Sequence, residues 1–375
     1  MQISGCTCGF NVINCAGNKH CFCIKRMKEV QNLMKKIRLG KTGLMVTKTA
    51  FGCLPIQRCS ESDAVSILRR AYDGGINFFD TANAYTDSEY KLGLALSDVR
   101  SNIVISTKSR CTDYRGTMAH IENSLRTMKT DYIDIFQFHV PSAMPDPNDP
   151  NGAFKAAYEA KEKGYVRHIG VTAHSLDLAF QELESGLFET IQYPFSYLST
   201  DREQLLVKKC EKADVGFIAM KGLAGGLLTN ARACHAFMKN WENAANIWGI
   251  QKMEELEQWL ALAQEDPSLD DELQKVIDAD REQLTGGFCR SCGYCMPCPA
   301  GIELNQCMRM NMLLRRSPWR EYYTDEWRAK MEKIKDCIGC GQCMKKCPYG
   351  LKCPDVLKYM YEDYINYFEE HKDEF

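Results

Sequence analysis

The chain has 375 residues, 45% of them hydrophobic and 26% charged, a size and composition that allow a large buried core and more than one domain. Its formal net charge of −2 supplies no electrostatic pull toward nucleic acid or an anionic membrane, so neither is expected as a partner. No apolar run reaches the length of a bilayer span, and no basic patch precedes an apolar N-terminal segment, so the expected location is cytoplasmic.

Cytoplasmic cysteines are normally reduced, so the 20 present argue for metal ligation rather than disulfides. Residues 1–33 carry Cys6, Cys8, Cys15, Cys21 and Cys23 with His20, but no hydrophobic periodicity that would build a core. A zinc knuckle is one reading of that stretch. The preferred one is a non-native or disordered extension. Lys28-Glu29-Val30 can be encoded by a bacterial ribosome-binding sequence lying shortly before the Met34 codon, so translation is expected to start at Met34.

From Ile37 the pattern becomes regular. A hairpin with turns at Gly40 and Gly43 leads to a strand near Thr49 to Gly52 and a helix from about Ser62 to Asp73. Further strands read at 76–80, 103–107, 131–138, 166–171, 188–192, 215–220 and 245–248, with helical patterns between them. Eight continuous apolar strands separated by amphipathic helices predict an α/β fold, a (β/α)8 TIM barrel over residues 34–285 whose base the hairpin plugs. An open doubly wound sheet is disfavoured, because no strand is followed by a GxGxxG turn with an acidic residue downstream. Three strands end in polar residues: Asp80, with Tyr85 five residues on, then Lys108, then His139. Such strand ends are where a barrel carries its chemistry. The glycine-rich stretch Lys221-Gly222-Leu223-Ala224-Gly225-Gly226 follows the seventh barrel strand, where backbone N–H groups can approach phosphates.

Beyond Leu284 the composition shifts. Residues 286–375 hold Cys289, Cys292, Cys295 and Cys298 at two-residue intervals, then Cys337, Cys340, Cys343 and Cys347 in the bacterial ferredoxin spacing. In that spacing three close cysteines hold one cubane and the fourth reaches the neighbouring cluster. Cluster one would use Cys289, Cys292, Cys295 and Cys347; cluster two would use Cys337, Cys340, Cys343 and Cys298, with Cys307 as a spare. Two structural zinc sites are the rival, disfavoured by the triplets and the Cys-Pro endings. Helices at 304–316 and 326–334 and a last one from Asp355 predict a small, mainly helical ferredoxin-like domain with two 4Fe-4S clusters, stabilised largely by cluster binding.

Asp80-Thr81-Ala82 with Tyr85, followed by Ser88-Glu89 and Leu92-Gly93, and the order Asp80, Tyr85, Lys108, His139, resemble the catalytic tetrad of the aldo-keto reductases. Met34 to Gly40 looks like the usual beginning of that family. The whole chain is similar to members with a C-terminal 4Fe-4S module, an arrangement associated with anaerobic bacteria and archaea. The resemblance implies NADP or NAD as cofactor and a small carbonyl or alcohol substrate. Tyr85 would be the proton donor, Lys108 would lower the phenol's pKa, Asp80 would hold Lys108, and His139 would orient the carbonyl. It also implies that Thr172, His174 and Gln192 flank the nicotinamide amide, although Ala173 and His174 replace the family's usual Ser-Asn pair. Met220 stands where many members stack an aromatic. Lys221, Gly222, Leu223 and Gly225 would hold the phosphates, and Gln251, Lys252 and Glu255 would line the adenosine site. The expected function is NAD(P)H-dependent reduction of an aldehyde or ketone, fused to an electron-transfer module served by a ferredoxin- or flavodoxin-like carrier. An electron-transfer protein that uses its barrel as a nucleotide-binding or docking scaffold is the alternative.

Overall fold

The structure, a computed structural model, describes residues 34–284, 288–291, 293–316, 319–347 and 349–374. The cysteine-rich stretch 1–33 and Cys292 lie outside them. Strands β1 (Lys36–Arg38) and β2 (Met45–Thr47) form an antiparallel hairpin. Eight parallel strands then close a barrel: β3 (Thr49–Gly52), β4 (Phe78–Asp80), β5 (Val104–Ser109), β6 (Ile133–His139), β7 (Val166–Thr172), β8 (Thr190–Pro194), β9 (Gly216–Met220) and β10 (Ala244–Gly249), with β10 pairing back onto β3. The order in space is the order in sequence, as expected for strands joined by right-handed helical crossovers.

The helices start where polar side chains satisfy their free N–H groups. Ser60 accepts from the Asp63 amide before helix Glu61–Asp73, and Asp113 accepts from Gly116 before Tyr114–Met128. Thr200 and Glu203 form a capping box at Asp201–Lys212.

Ile37, Leu39 and Val46 of the hairpin region pack with Ala50, Phe78, Val104, Ile135, Ile218 and Ala245 from inside the barrel, so the hairpin closes its base. Gly40, at φ +53, bridges to Val215; a Cβ there would lie 2.2 Å from the Gly216 nitrogen, so only glycine permits this approach.

The described tail is helical. Its pieces are Leu304–Cys307, Met310–Arg316, Asp325–Glu332, Gln342–Lys346 and Cys353–Glu370. Ile302, Leu304, Met310, Leu314, Met331, Leu357, Met360 and Tyr364 form a separate core. The last helix therefore packs on its own domain, and the Arg315–Asp363 ion pair, 2.7 Å, fixes it to Met310–Arg316. No described helix is long and apolar enough to cross a membrane.

Candidate active site and cysteine-rich tail

Asp80, Lys108 and His139 occupy the C-terminal ends of β4, β5 and β6, three adjacent strands. The Lys108 ammonium, 1% exposed, donates to Asp80 Oδ2 and to the Thr81 carbonyl, both at 2.6 Å. Ser106 donates to the other oxygen of Asp80 at 2.6 Å. Burial, the largest single influence, would lower the Lys108 pKa, but the charge of Asp80 and the hydrogen bond to it are among the effects that together outweigh burial and raise it above its ordinary value. The ion pair is thus a fixed, charged element of a dry barrel mouth.

Tyr85 is placed by the turn after β4. Its amide donates to the Ala82 carbonyl and its own carbonyl accepts from Ser88. Ser88 in turn donates to the Cys53 carbonyl. The Lys108 nitrogen lies 5.3 Å from the Tyr85 ring centre, and the His139 ring meets Tyr85 edge-on at 5.7 Å. The phenol pKa is raised, because burial outweighs the lowering pull of Lys108. The expected lowering by the ammonium is present but is not the larger effect. His139 is pushed down to about 3 by burial first, then by Lys108 and Arg110, so its imidazole is neutral.

Sequence reading missed Gln137, one strand position before Phe138 and fully buried. Its amide nitrogen donates to Gln192 Oε1 at 2.8 Å and to Asp80 at 3.3 Å. Gln192 closes the ring toward Asp80 at 3.5 Å, so it belongs to the network around the carboxylate. A polar residue between Phe136 and Phe138, two positions before His139, was the available signal.

The other candidate residues divide by surroundings. Thr172 accepts from the Val140 amide at 2.9 Å. His174, with its pKa well below the ordinary value mainly through burial, packs edge-on against Tyr294 of the tail at 5.3 Å. Among the described residues the buried Nδ1 atoms of His139 and His174 have no hydrogen-bond partner, an arrangement that suits a polar ligand at this mouth. Lys221 donates to the carbonyls of Arg290 and Ser291 in the tail. Leu223 packs at the edge of the barrel core. Gly222 lies against Trp248, whose ring a Cβ would meet at 2.4 Å, and Gly225 lies against Arg309 of the tail. Glu255 accepts from the amides of Gln251 and Lys252 at 2.9 and 3.1 Å, which ties all three residues to the start of helix Met253–Glu265. A cavity of about 350 Å³ lined by Lys208, Trp241 and Arg281 lies among the outer helices, apart from these residues.

In the tail, Cys289 is buried, Cys295, Cys298, Cys343 and Cys347 are half-buried, and Cys337 and Cys340 are exposed. The Cys353 thiol, which sequence reading passed over, shares a hydrogen bond with Cys343 and lies close enough to feel Cys347 and Cys295. Cysteines of both runs therefore meet. Among the described residues no three ligand-type side chains converge as a metal site, so the fit to iron-sulfur clusters rests on donor chemistry and on this interleaving. Cys307 lies elsewhere. Its thiol donates to the Lys330 carbonyl, and burial pushes its pKa up to about 12.

The site is thus a buried Asp–Lys pair, a tyrosine and a neutral histidine at the strand ends of a closed (β/α)8 barrel that a cysteine-rich helical domain extends. The profile of the Aldo/keto reductase family matches residues 43–269, and the chain belongs to that family. That of the 4Fe-4S dicluster domain matches residues 288–352. L-galactose dehydrogenase of Arabidopsis thaliana is 32% identical over 212 residues, covering 51% of this chain and 66% of that protein. An aldo-keto reductase of Alternaria alternata is 28% identical over 247 residues, 51% of this chain and 65% of its own. The chain thus spans slightly less than two thirds of these relatives. Among solved structures, the holo form of an aldo-keto reductase from Bacillus halodurans superposes with a TM-score of 0.58 at 22% identity, covering 66% of this chain and 96% of that one. An aldo-keto reductase from Klebsiella pneumoniae in complex with NADPH superposes with a TM-score of 0.54 at 21% identity, covering 66% and 94%.

Proposed function

We propose that residues 34–285 form a barrel that reduces an aldehyde or ketone with NADPH or NADH, and that residues 286–375 form a two-cluster iron-sulfur module. The observation that carries the reading is the buried 2.6 Å Lys108–Asp80 pair set beside Tyr85 and His139. The NADPH complex of the Klebsiella protein supports the choice of cofactor class.

The reduced nicotinamide, when bound, would supply a hydride to the carbonyl carbon. As the C=O π pair moves onto oxygen, Tyr85 gives that oxygen its phenolic proton, and the phenolate recovers one from water. Lys108 stabilises the phenolate as it forms. Asp80, held by Ser106 and Gln137, keeps Lys108 in place. His139, neutral, donates a hydrogen bond to the carbonyl oxygen and orients it. The nicotinamide side of the mouth is lined by Thr172, His174 and Gln192, with Lys221 and the glycine loop toward the phosphates. Gln251, Lys252 and Glu255 then mark the adenosine end. Cys289, Cys292, Cys295 and Cys298 with Cys337, Cys340, Cys343 and Cys347 would hold two 4Fe-4S clusters, each a one-electron carrier. A ferredoxin- or flavodoxin-like protein would exchange electrons with them.

The test is Tyr85→Phe. It should lower carbonyl reduction by ~10²- to 10⁴-fold, the usual worth of one acid-base group, with nicotinamide affinity unchanged. Wild-type kcat in this variant, with chemistry rate-limiting, sinks the assignment.

A further inference from the structure

We infer that Arg309, carried by the cysteine-rich tail, binds the pyrophosphate of the dinucleotide at the loop after β9, so that the tail completes the barrel's cofactor site; the inference rests on the nicotinamide reading above. Arg309 joins helices Leu304–Cys307 and Met310–Arg316 and is 5% exposed. A guanidinium is always charged and carries five donors. Among the described residues its one hydrogen-bond acceptor is the Gly225 carbonyl, 2.7 Å from Nη2. Its buried Nε has none. The groups that act on its charge are Cys289 and Tyr322, neither a carboxylate.

Arg290, the other arginine the tail brings to the barrel, differs. It forms a 2.8 Å ion pair with Glu203. Among the described residues no carboxylate pairs with Arg309, and a buried cation is strongly disfavoured unless an anion joins it, so its position calls for an anionic ligand.

The loop it touches fits one. Gly225 and Gly226 have φ values of +72 and +91, and a Cβ at Gly226 would meet nothing within 4 Å. Loop amides of this kind can face an anion, and barrels often place phosphates after strands seven and eight; β9 is the seventh barrel strand. The Gly226 amide is spent on the Leu223 carbonyl at 2.9 Å, so among the described residues it is the Gly225 amide, beside Arg309, that remains for an anion. The planar fork of an arginine matches phosphate oxygens in pairs. The rival anion is the Cys289 thiolate of a bound cluster, which would make Arg309 a counter-charge for that cluster alone.

Equilibrium titration of anaerobically purified holoprotein with NADH and with NADPH separates these cases. Arg309→Gln should weaken both nucleotides by roughly 10- to 100-fold, the worth of a hydrogen bond to a charged group, at unchanged iron content. Unchanged affinity overturns the inference, as does a loss confined to NADPH, which would place Arg309 on the 2'-phosphate. A shifted cluster potential with unchanged affinity overturns it too, in favour of the Cys289 thiolate. If Arg309→Gln loses iron, Arg309→Lys decides, since it keeps the charge but not the fork: weaker binding of both nucleotides supports the inference, and unchanged binding overturns it. Wild-type protein that binds neither nucleotide defeats the nicotinamide reading and this inference with it.

Discussion

Tyr85 and His139 show how one barrel mouth keeps two titratable groups in their neutral forms. The same burial raises the phenol and lowers the imidazole. For His139 the folded value is depressed, so its stability contribution is full above the ordinary value of 6.5 and is lost progressively as pH falls from there through about 3. Carbonyl reduction should therefore show no imidazole limb near pH 6.5, and a kcat/KM profile with a His139-dependent inflection there would contradict the neutral assignment. Glu182 offers a cleaner test away from the site. Both its oxygens are buried and have no partner among the described residues, and burial raises it to about 8. A raised folded value favours the protonated form, so the stability it contributes is full below 4.5 and is lost as pH rises through about 8. Glu182→Gln should flatten the dependence of Tm on pH across that window; melting curves that fall in parallel for both proteins would show that Glu182 is ionised in the fold. The tetrad positions were legible because polar residues stand out where apolar strands end. Gln137, Tyr294 and Arg309 were not, since their meaning lies in partners 55, 120 and 84 positions away in sequence, Gln192, His174 and Gly225.

At the scale of elements, all eight barrel strands were legible from apolar runs alone, and the misfits are physical. The second barrel strand reads from Ile76, yet β4 begins at Phe78. Asn77 is taken by the hairpin: its backbone amide donates to Thr47 Oγ1, its side-chain oxygen accepts from the Thr47 amide, and its side-chain nitrogen donates to the Met45 carbonyl. The glycine loop was read for phosphates, but Gly222 also serves packing. It leaves room for Trp248, which stacks on Trp259 at 3.8 Å between ring centres. A Cβ at position 222 would lie 2.4 Å from that ring. Gly222→Ala should therefore cost ~1–3 kcal/mol by overpacking and alter the near-ultraviolet dichroism of the stacked pair. An unchanged Tm would mean that Trp248 moves aside freely. Glu255 likewise has a structural part beside the one proposed for it, since it accepts from the amides of Gln251 and Lys252 at the start of its helix.

For the whole molecule the question is whether the contact between barrel and tail couples them in electron transfer. Tyr294 lies beside Cys295 in sequence and touches His174 at the barrel mouth, and the tail's Arg290 and Ser291 hold Lys221. Proximity alone does not make the two halves redox partners. A nicotinamide gives up two electrons as a hydride, whereas each cubane takes one. Without a group able to split the pair, direct transfer should be slow even across a short gap. Anaerobically purified protein should contain about eight irons and eight acid-labile sulfides, as two 4Fe-4S clusters require; stoichiometric zinc without labile sulfide would reject the cluster assignment. Loaded in that way, the protein mixed with NADPH or NADH alone should keep its clusters oxidised, while a low-potential reduced ferredoxin should bleach them. Stopped-flow spectra, taken without flavin, decide the matter: bleaching by either nicotinamide at the rate of catalytic turnover would show that the contact at Tyr294 carries electrons directly and that no external carrier is needed.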